Sequence, residues 1–183
     1  MLQITVPETE KWDEVKEEFV YHKAYTLRLE HSLVSLSKWE AKYCKPFLSK
    51  NGMTVLESID YIRFMTLNQN VPPEVYLNLT NENMQEVAAY IDAPMTATWF
   101  SKEEGKKGSA GNRRIITAEL IYCWMFSMNI PIEWEKRHLN RLLALIKVCN
   151  IESQPPKKRS KKELLQRNKE LNEIRRKQLN TKG

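Results

Sequence analysis

The sequence predicts a mainly α protein of the α+β class: short N-terminal β-strands or a β-hairpin, then a compact helical bundle, then an exposed basic C-terminal helix. Three observations predict it. Apolar residues alternate with polar ones near the N-terminus, at Leu2, Ile4, Val6 and again at Tyr25, Leu27, Leu29. Hydroxyl-capped apolar stripes at three- and four-residue spacing fill the middle. Composition then shifts sharply after Pro155-Pro156. The corresponding divisions are 1–32 (β segment), 33–154 (helical core) and 155–183 (basic tail).

The first segment has a period of two. Phe19 to His31 is rich in aromatic and β-branched residues, which suit a pleated, half-buried surface. Two or three strands fit here, and no Asn-Gly or Asp-Gly pair marks a turn. Helical spacing begins at Leu33, with Leu36 and Trp39, and Pro46 is expected to close that helix.

Thr54 and Glu57 have the form of a capping box, in which the hydroxyl takes the third amide and the carboxylate reaches back. Leu56, Ile59, Ile62 and Met65 would then share a face up to about Asn68. Thr80 can cap the next helix, with Met84, Val87, Ala88 and Ile91 on one stripe and Pro94 ending it. Residues 101–112 hold three of the five glycines and read as a flexible loop.

The most hydrophobic block, Ile115 to Met128, is expected to be the central buried helix, with Ile116, Leu120, Cys123, Trp124 and Ser127 at helical spacing and Ile121 and Met125 beside them. Asn129-Ile130-Pro131 breaks it. From Glu133 to Val148, Leu139, Leu142, Leu143 and Ile146 form one face, His138, Arg141 and Lys147 lie off it, and Asn150 is a candidate C-cap. Ser160 and Glu163 form a second capping box, opening a charged helix to about Leu179 with only a thin apolar stripe.

Composition bounds the function. The 183 residues are 42% hydrophobic and 28% charged, a globular balance. No run of about 18 apolar residues is present, so no spanning helix is expected. The N-terminus has neither a basic region nor a long apolar run, so a secretory signal is not expected. Three widely spaced cysteines, Cys44, Cys123 and Cys149, suit buried, reduced thiols rather than a disulfide framework. The net charge of +6 is uneven. Residues 155–183 carry 11 Lys/Arg against 3 Asp/Glu, leaving 18 against 20 elsewhere, so the body is near neutral and the tail strongly basic.

No catalytic constellation emerges. There is no Cys-x-x-Cys and no His-x-x-x-His to hold zinc. No Gly-x-Ser-x-Gly elbow occurs, and His31-Ser32 has no evident orienting acid. The loop Gly105 to Gly111 lacks the spacing of a phosphate-binding loop. No enzyme activity and no cofactor are expected. The candidate binding residues are the tail cations Lys157, Lys158, Arg159, Lys161, Lys162, Arg167, Arg175, Arg176 and Lys177, which could meet phosphates or acidic protein segments. A solvated helix face weighs equally. Trp39, Trp99, Trp124 and Trp134 sit among apolar residues, where core packing is their default role.

Several segments carry a resemblance: Leu29 to Glu40 (LEHSLVSLSKWE), Lys45 to Leu48 (KPFL), Ala93 to Phe100 (APMTATWF), Ile115 to Tyr122 (IITAELIY), Trp134 with His138 to Leu142 (HLNRL), and Arg167 to Asn172 with Arg175-Arg176. Together they resemble a family of small tail assembly chaperones of siphovirus-type tailed bacteriophages, over a span from about Leu29 to the C-terminus. The resemblance implies binding of the tape-measure protein and recruitment of tail-tube subunits in the host cytoplasm, with oligomers possible, no membrane partner and no catalytic residue. Helical grooves could receive the client's apolar stripe, and the cationic tail could steer acidic segments. Two other readings stay open: a nucleic-acid-binding protein acting through the tail, and a structural connector or minor tail protein of the virion.

Overall fold

In the computed structural model, the first 29 residues form one long antiparallel ribbon. β1 (Leu2–Val6) pairs with β4 (Tyr25–Leu29), and β2 (Thr9–Asp13) with β3 (Glu18–His22). The register is common to both ladders: Leu2 faces Leu29, Thr9 faces His22, and each step inward on one strand matches a step on the other. The ladder is interrupted at Pro7, which has no N–H to donate. The two or three strands expected in this segment are thus four, and the turn, unmarked in sequence, lies between Asp13 and Glu18. The structure describes residues 1–14, 17–49, 52–98 and 115–153, with five further positions, 165, 168, 169, 172 and 176.

Helices follow: α1 (Leu33–Tyr43), α2 (Val55–Met65), α3 (Pro73–Leu77), α4 (Asn81–Asp92), α5 (Ala118–Ser127) and α6 (Leu139–Glu152), with a 3-10 turn at Ile132–Lys136 before α6. Hydroxyl capping boxes open three of them, at Ser32 with Ser35, Thr54 with Glu57, and Thr80 with Asn83. α1 ends earlier than Pro46 predicts. Cys44 adopts a left-handed conformation and its N–H donates to the Glu40 carbonyl at 2.8 Å, which stops the helix locally. α6 runs past Asn150 to Glu152, so Asn150 lies within the helix rather than capping it.

Contacts divide the chain into two units, Met1–Cys149 and Asn150–Gly183. The first holds two apolar clusters. One joins the ribbon to α2, α3 and α4 through Ile4, Val6, Leu27, Leu29, Tyr61, Ile62, Met65, Val87 and Tyr90, with Trp39 of α1. The other packs α1, α5 and α6 through Leu33, Leu36, Ile121, Met125, Leu139, Leu142 and Ile146. Phe47 packs against both. β4 is also held on its far side: Leu67 N–H donates to the Arg28 carbonyl (2.8 Å), and Glu30 N–H to that of Met65 (2.9 Å).

Several expected faces rotate. Leu56 is 72% exposed, and Tyr61 takes its place in the core beside Ile62 and Met65. Ala88 faces outward, and Asn83, Val87 and Tyr90 are the buried positions of α4. α5 is not a central helix. Only Ala118, Ile121 and Met125 are buried in it, while Cys123 and Phe126 are exposed. An apolar run all round a helix conceals which side faces the core: the buried side runs through Ile121 and Met125, one position on from the expected stripe through Leu120, Cys123, Trp124 and Ser127. The cysteines are free, but Cys44 and Cys123 are exposed and Cys149 is half-buried, not core thiols as expected.

Candidate functional site

Three places in the first unit concentrate chemistry. The outermost is the distal ribbon. By strand parity, Ile4, Val6, Leu27 and Tyr25 share the side that also holds Glu10, Trp12, Phe19 and Tyr21. The proximal part of this side is buried against the helices. The distal part is not: Trp12 is 52% exposed, Phe19 65% and Tyr21 55%. Trp12 and Phe19 are directly opposite and meet edge to face, with ring centroids 5.0 Å apart. The Tyr21 hydroxyl donates to the Glu8 carboxylate, and that bond raises its pKa. An exposed aromatic cluster therefore stands at the far end of the ribbon, separated from the core by Glu8 and Glu10.

The second place is a buried polar knot around His31 and His138. Their rings meet edge to face at 5.1 Å, and Tyr61, Tyr90 and Phe47 pack around them. Burial raises the Tyr61 phenol far above its ordinary range, so it keeps its proton, and its hydroxyl is hydrogen-bonded to His31 Nδ1 at 2.5 Å. His138 Nε2 donates to the Tyr90 carbonyl (3.0 Å), and its Nδ1 accepts from Asn140 N–H (3.3 Å). The backbone closes the knot, with Leu139 N–H donating to the His31 carbonyl at 2.7 Å. Burial, then the nearby His138, lowers His31 to about 3. His138 is lowered by burial, partly offset by the Tyr90 carbonyl and by Glu30. The arrangement has a nucleophile-like Ser35 hydroxyl beside Tyr61 (3.5 Å), but Ser35, His31 and Tyr61 are each about 1% exposed and no substrate can reach them. It is a joint that locks β4, α2, α4 and α6 together. His138, expected off the apolar face, is one of its buried members.

The third place is a surface groove of about 310 Å³ lined by Pro131, Glu133, Trp134, Arg137 and Arg141. The Arg141 guanidinium lies over the Trp134 ring, 5.8 Å from its centroid.

Of the tail cations singled out from sequence, Lys157, Lys158, Arg159, Lys161, Lys162, Arg167, Arg175 and Lys177 lie outside the described residues, as do the loop 101–112, Trp99 and the Ser160–Glu163 capping box. Arg176 is helical and exposed, as are Leu165, Asn168, Lys169 and Asn172. Sequence reasoning missed the distal aromatics and the groove. The sequence signal for the first is the two-residue spacing of Phe19 and Tyr21, while Glu8 and Glu10 separate Trp12 from the apolar alternation of Ile4 and Val6.

Among the described residues no group of three or more His, Cys, Asp or Glu is placed to hold a metal ion, and no helix is long and apolar enough to cross a membrane. No family model matches the chain, and no curated protein or solved structure was found to match it.

Proposed function

We propose that this protein works by binding a partner rather than by catalysis, as a tail assembly chaperone that holds a tape-measure-type helical client and aids tail-tube assembly in the host cytoplasm. The observation that carries the reading is the uncovered aromatic end of the ribbon. Apolar surface kept in water is costly, and a contiguous aromatic strip with two open strand edges is the kind of surface that a partner covers. Trp12 and Phe19 offer large area at little entropic cost, as aromatic anchors do at interfaces. A long amphipathic helix presents a matching apolar stripe. The motif resemblance between Leu29 and the C-terminus supports the same reading, and so does the inaccessibility of the buried histidine knot.

The test is co-expression with a tape-measure-type helical client. A complex should survive gel filtration, the client should remain in the supernatant, and a variant carrying Trp12→Ser, Phe19→Ser and Tyr21→Ser should release it. A client equally soluble alone, with no complex recovered, defeats the proposal.

A further inference from the structure

The groove beside α6 has features that a solvated surface does not need. Neither Arg137 nor Arg141 has an ion-pair partner among the described residues. The two guanidiniums line one groove with a half-buried indole, and the Trp134 N–H likewise has no partner among those residues. Pro131 extends the flat apolar wall. We propose that this groove binds a nucleotide unit, with its phosphate between Arg137 and Arg141 and its base against the wall made by Trp134 and Pro131.

The chemistry favours that ligand class over the alternatives. Paired guanidiniums present forked donors that match phosphate oxygens. A lone carboxylate side chain would satisfy those donors but leave the aromatic wall and most of the 310 Å³ unfilled. A volume of this size lies at the small end of ligand sites, about 300–1,000 Å³. Every base has a π-face, so stacking on Trp134 tolerates sequence, and Arg adds cation–π attraction. Glu133 on the same groove can accept from an exocyclic amino group. It also limits the local positive charge to two arginines against one glutamate, so binding should be weak and salt-dependent. The surface is narrow, built from one 3-10 turn and the first turn of α6, which suits a free nucleotide or a single strand rather than a duplex.

The experiment follows the indole N–H resonance of Trp134, assigned with Trp134→Phe, in the full-length protein at low salt. The probes are adenosine monophosphate, a short single-stranded oligodeoxyadenylate, adenosine, inorganic phosphate and an acidic peptide. Saturable movement with the monophosphate or the oligonucleotide is expected, and the stronger of those two identifies the source. Adenosine and phosphate should each bind at least about tenfold more weakly, because each supplies only half of the contacts. Arg137→Ala with Arg141→Ala should weaken the nucleotide response about tenfold or more, and Arg137→Lys with Arg141→Lys should recover only part of it. Two results overturn the proposal: a stronger response to the acidic peptide, or oligonucleotide binding by the intact protein that leaves the Trp134 resonance and the double alanine variant unaffected.

Discussion

The Glu40 carboxylate caps α5 from 78 residues away: its Oε2 accepts from Ala118 N–H at 2.7 Å. Its Oε1 accepts from Phe47 N–H at 2.8 Å. One buried side chain of α1 thus fixes both the segment carrying Phe47 and the start of α5, whose own N-cap residue, Thr117, makes no side-chain capping bond. Glu40→Ala should cost about 3 kcal/mol, since each buried N–H left without a partner costs about 1–3 kcal/mol. Glu40→Gln should cost nearly as much, because its amide presents one oxygen and one N–H to two donors. Urea unfolding measures both, and a loss below about 0.5 kcal/mol for either would show the cap to be unimportant.

The histidine knot makes stability depend on acid in a defined window. His31 is held neutral near a pKa of about 3 in the folded state, against about 6.5 when unfolded. Between those values the unfolded chain binds the extra proton, so stability is fully present above about pH 6.5 and falls as pH drops toward 3. The slope is about 1.4 kcal/mol per pH unit for His31, and His138, also lowered, adds to it. The charges facing the pair are Glu30, which favours the protonated form of His138, and the N-terminal ammonium, which opposes it and is itself paired to Glu30 at 2.8 Å. Nδ1 of His138 already accepts from Asn140 N–H, so a proton there meets that donor. Unfolding midpoints at pH 7, 6 and 5 should fall steadily. His31→Gln, which can donate to or accept from the Tyr61 hydroxyl, should flatten the dependence, and an unchanged slope in that variant would assign it to other groups.

Capping discriminates between helices that look alike in sequence. Thr54→Ala should cost about 1 kcal/mol, because the Thr54 hydroxyl accepts from Glu57 N–H at 3.2 Å. Thr117→Ala should cost less than about half of that, because Glu40 does the capping there. Equal losses on thermal unfolding would contradict this division.

The two threonines also mark how far the sequence was legible. Local chemistry was readable: the Thr54–Glu57 box, the Thr80 cap, the alternation of Ile4 and Val6, and the α6 face of Leu139, Leu142 and Ile146 all appear where spacing puts them. What was not readable depended on residues distant in the chain. Glu40 looks like any charged helix position until Ala118 arrives beside it. His31 and His138 are unremarkable apart, and become a buried pair only when Ser32 bridges to His138. The groove likewise needs the 3-10 turn to bring Trp134 over to Arg141.

Thiol chemistry checks the rotated face of α5. Cys44 and Cys123 are exposed, so in the native protein they should react with a disulfide reagent at rates near those of the unfolded chain, with Cys149 slower. Three equally protected thiols would restore the buried arrangement that hydrophobicity alone suggests.

The ribbon supplies the sharpest contrast, because one side of it serves two ends. Ile4 and Trp12 lie on that same side by parity, yet Ile4 is 2% exposed and Trp12 is 52%. Ile4→Ala should cost about 2–4 kcal/mol, the transfer of a buried side chain plus the cavity left among Leu27, Leu29 and the helices. Trp12→Ser with Phe19→Ser and Tyr21→Ser should change global stability by less than about 1 kcal/mol, since an exposed cross-strand aromatic pair and one exposed Tyr21–Glu8 hydrogen bond are lost. The same triple variant should lose the client in co-purification, while a complex formed by a stable-folding Ile4→Val protein should persist. Side-by-side unfolding and pull-down measurements separate the two roles. If the triple variant unfolds as readily as Ile4→Ala, the distal aromatics belong to the core and not to a binding surface.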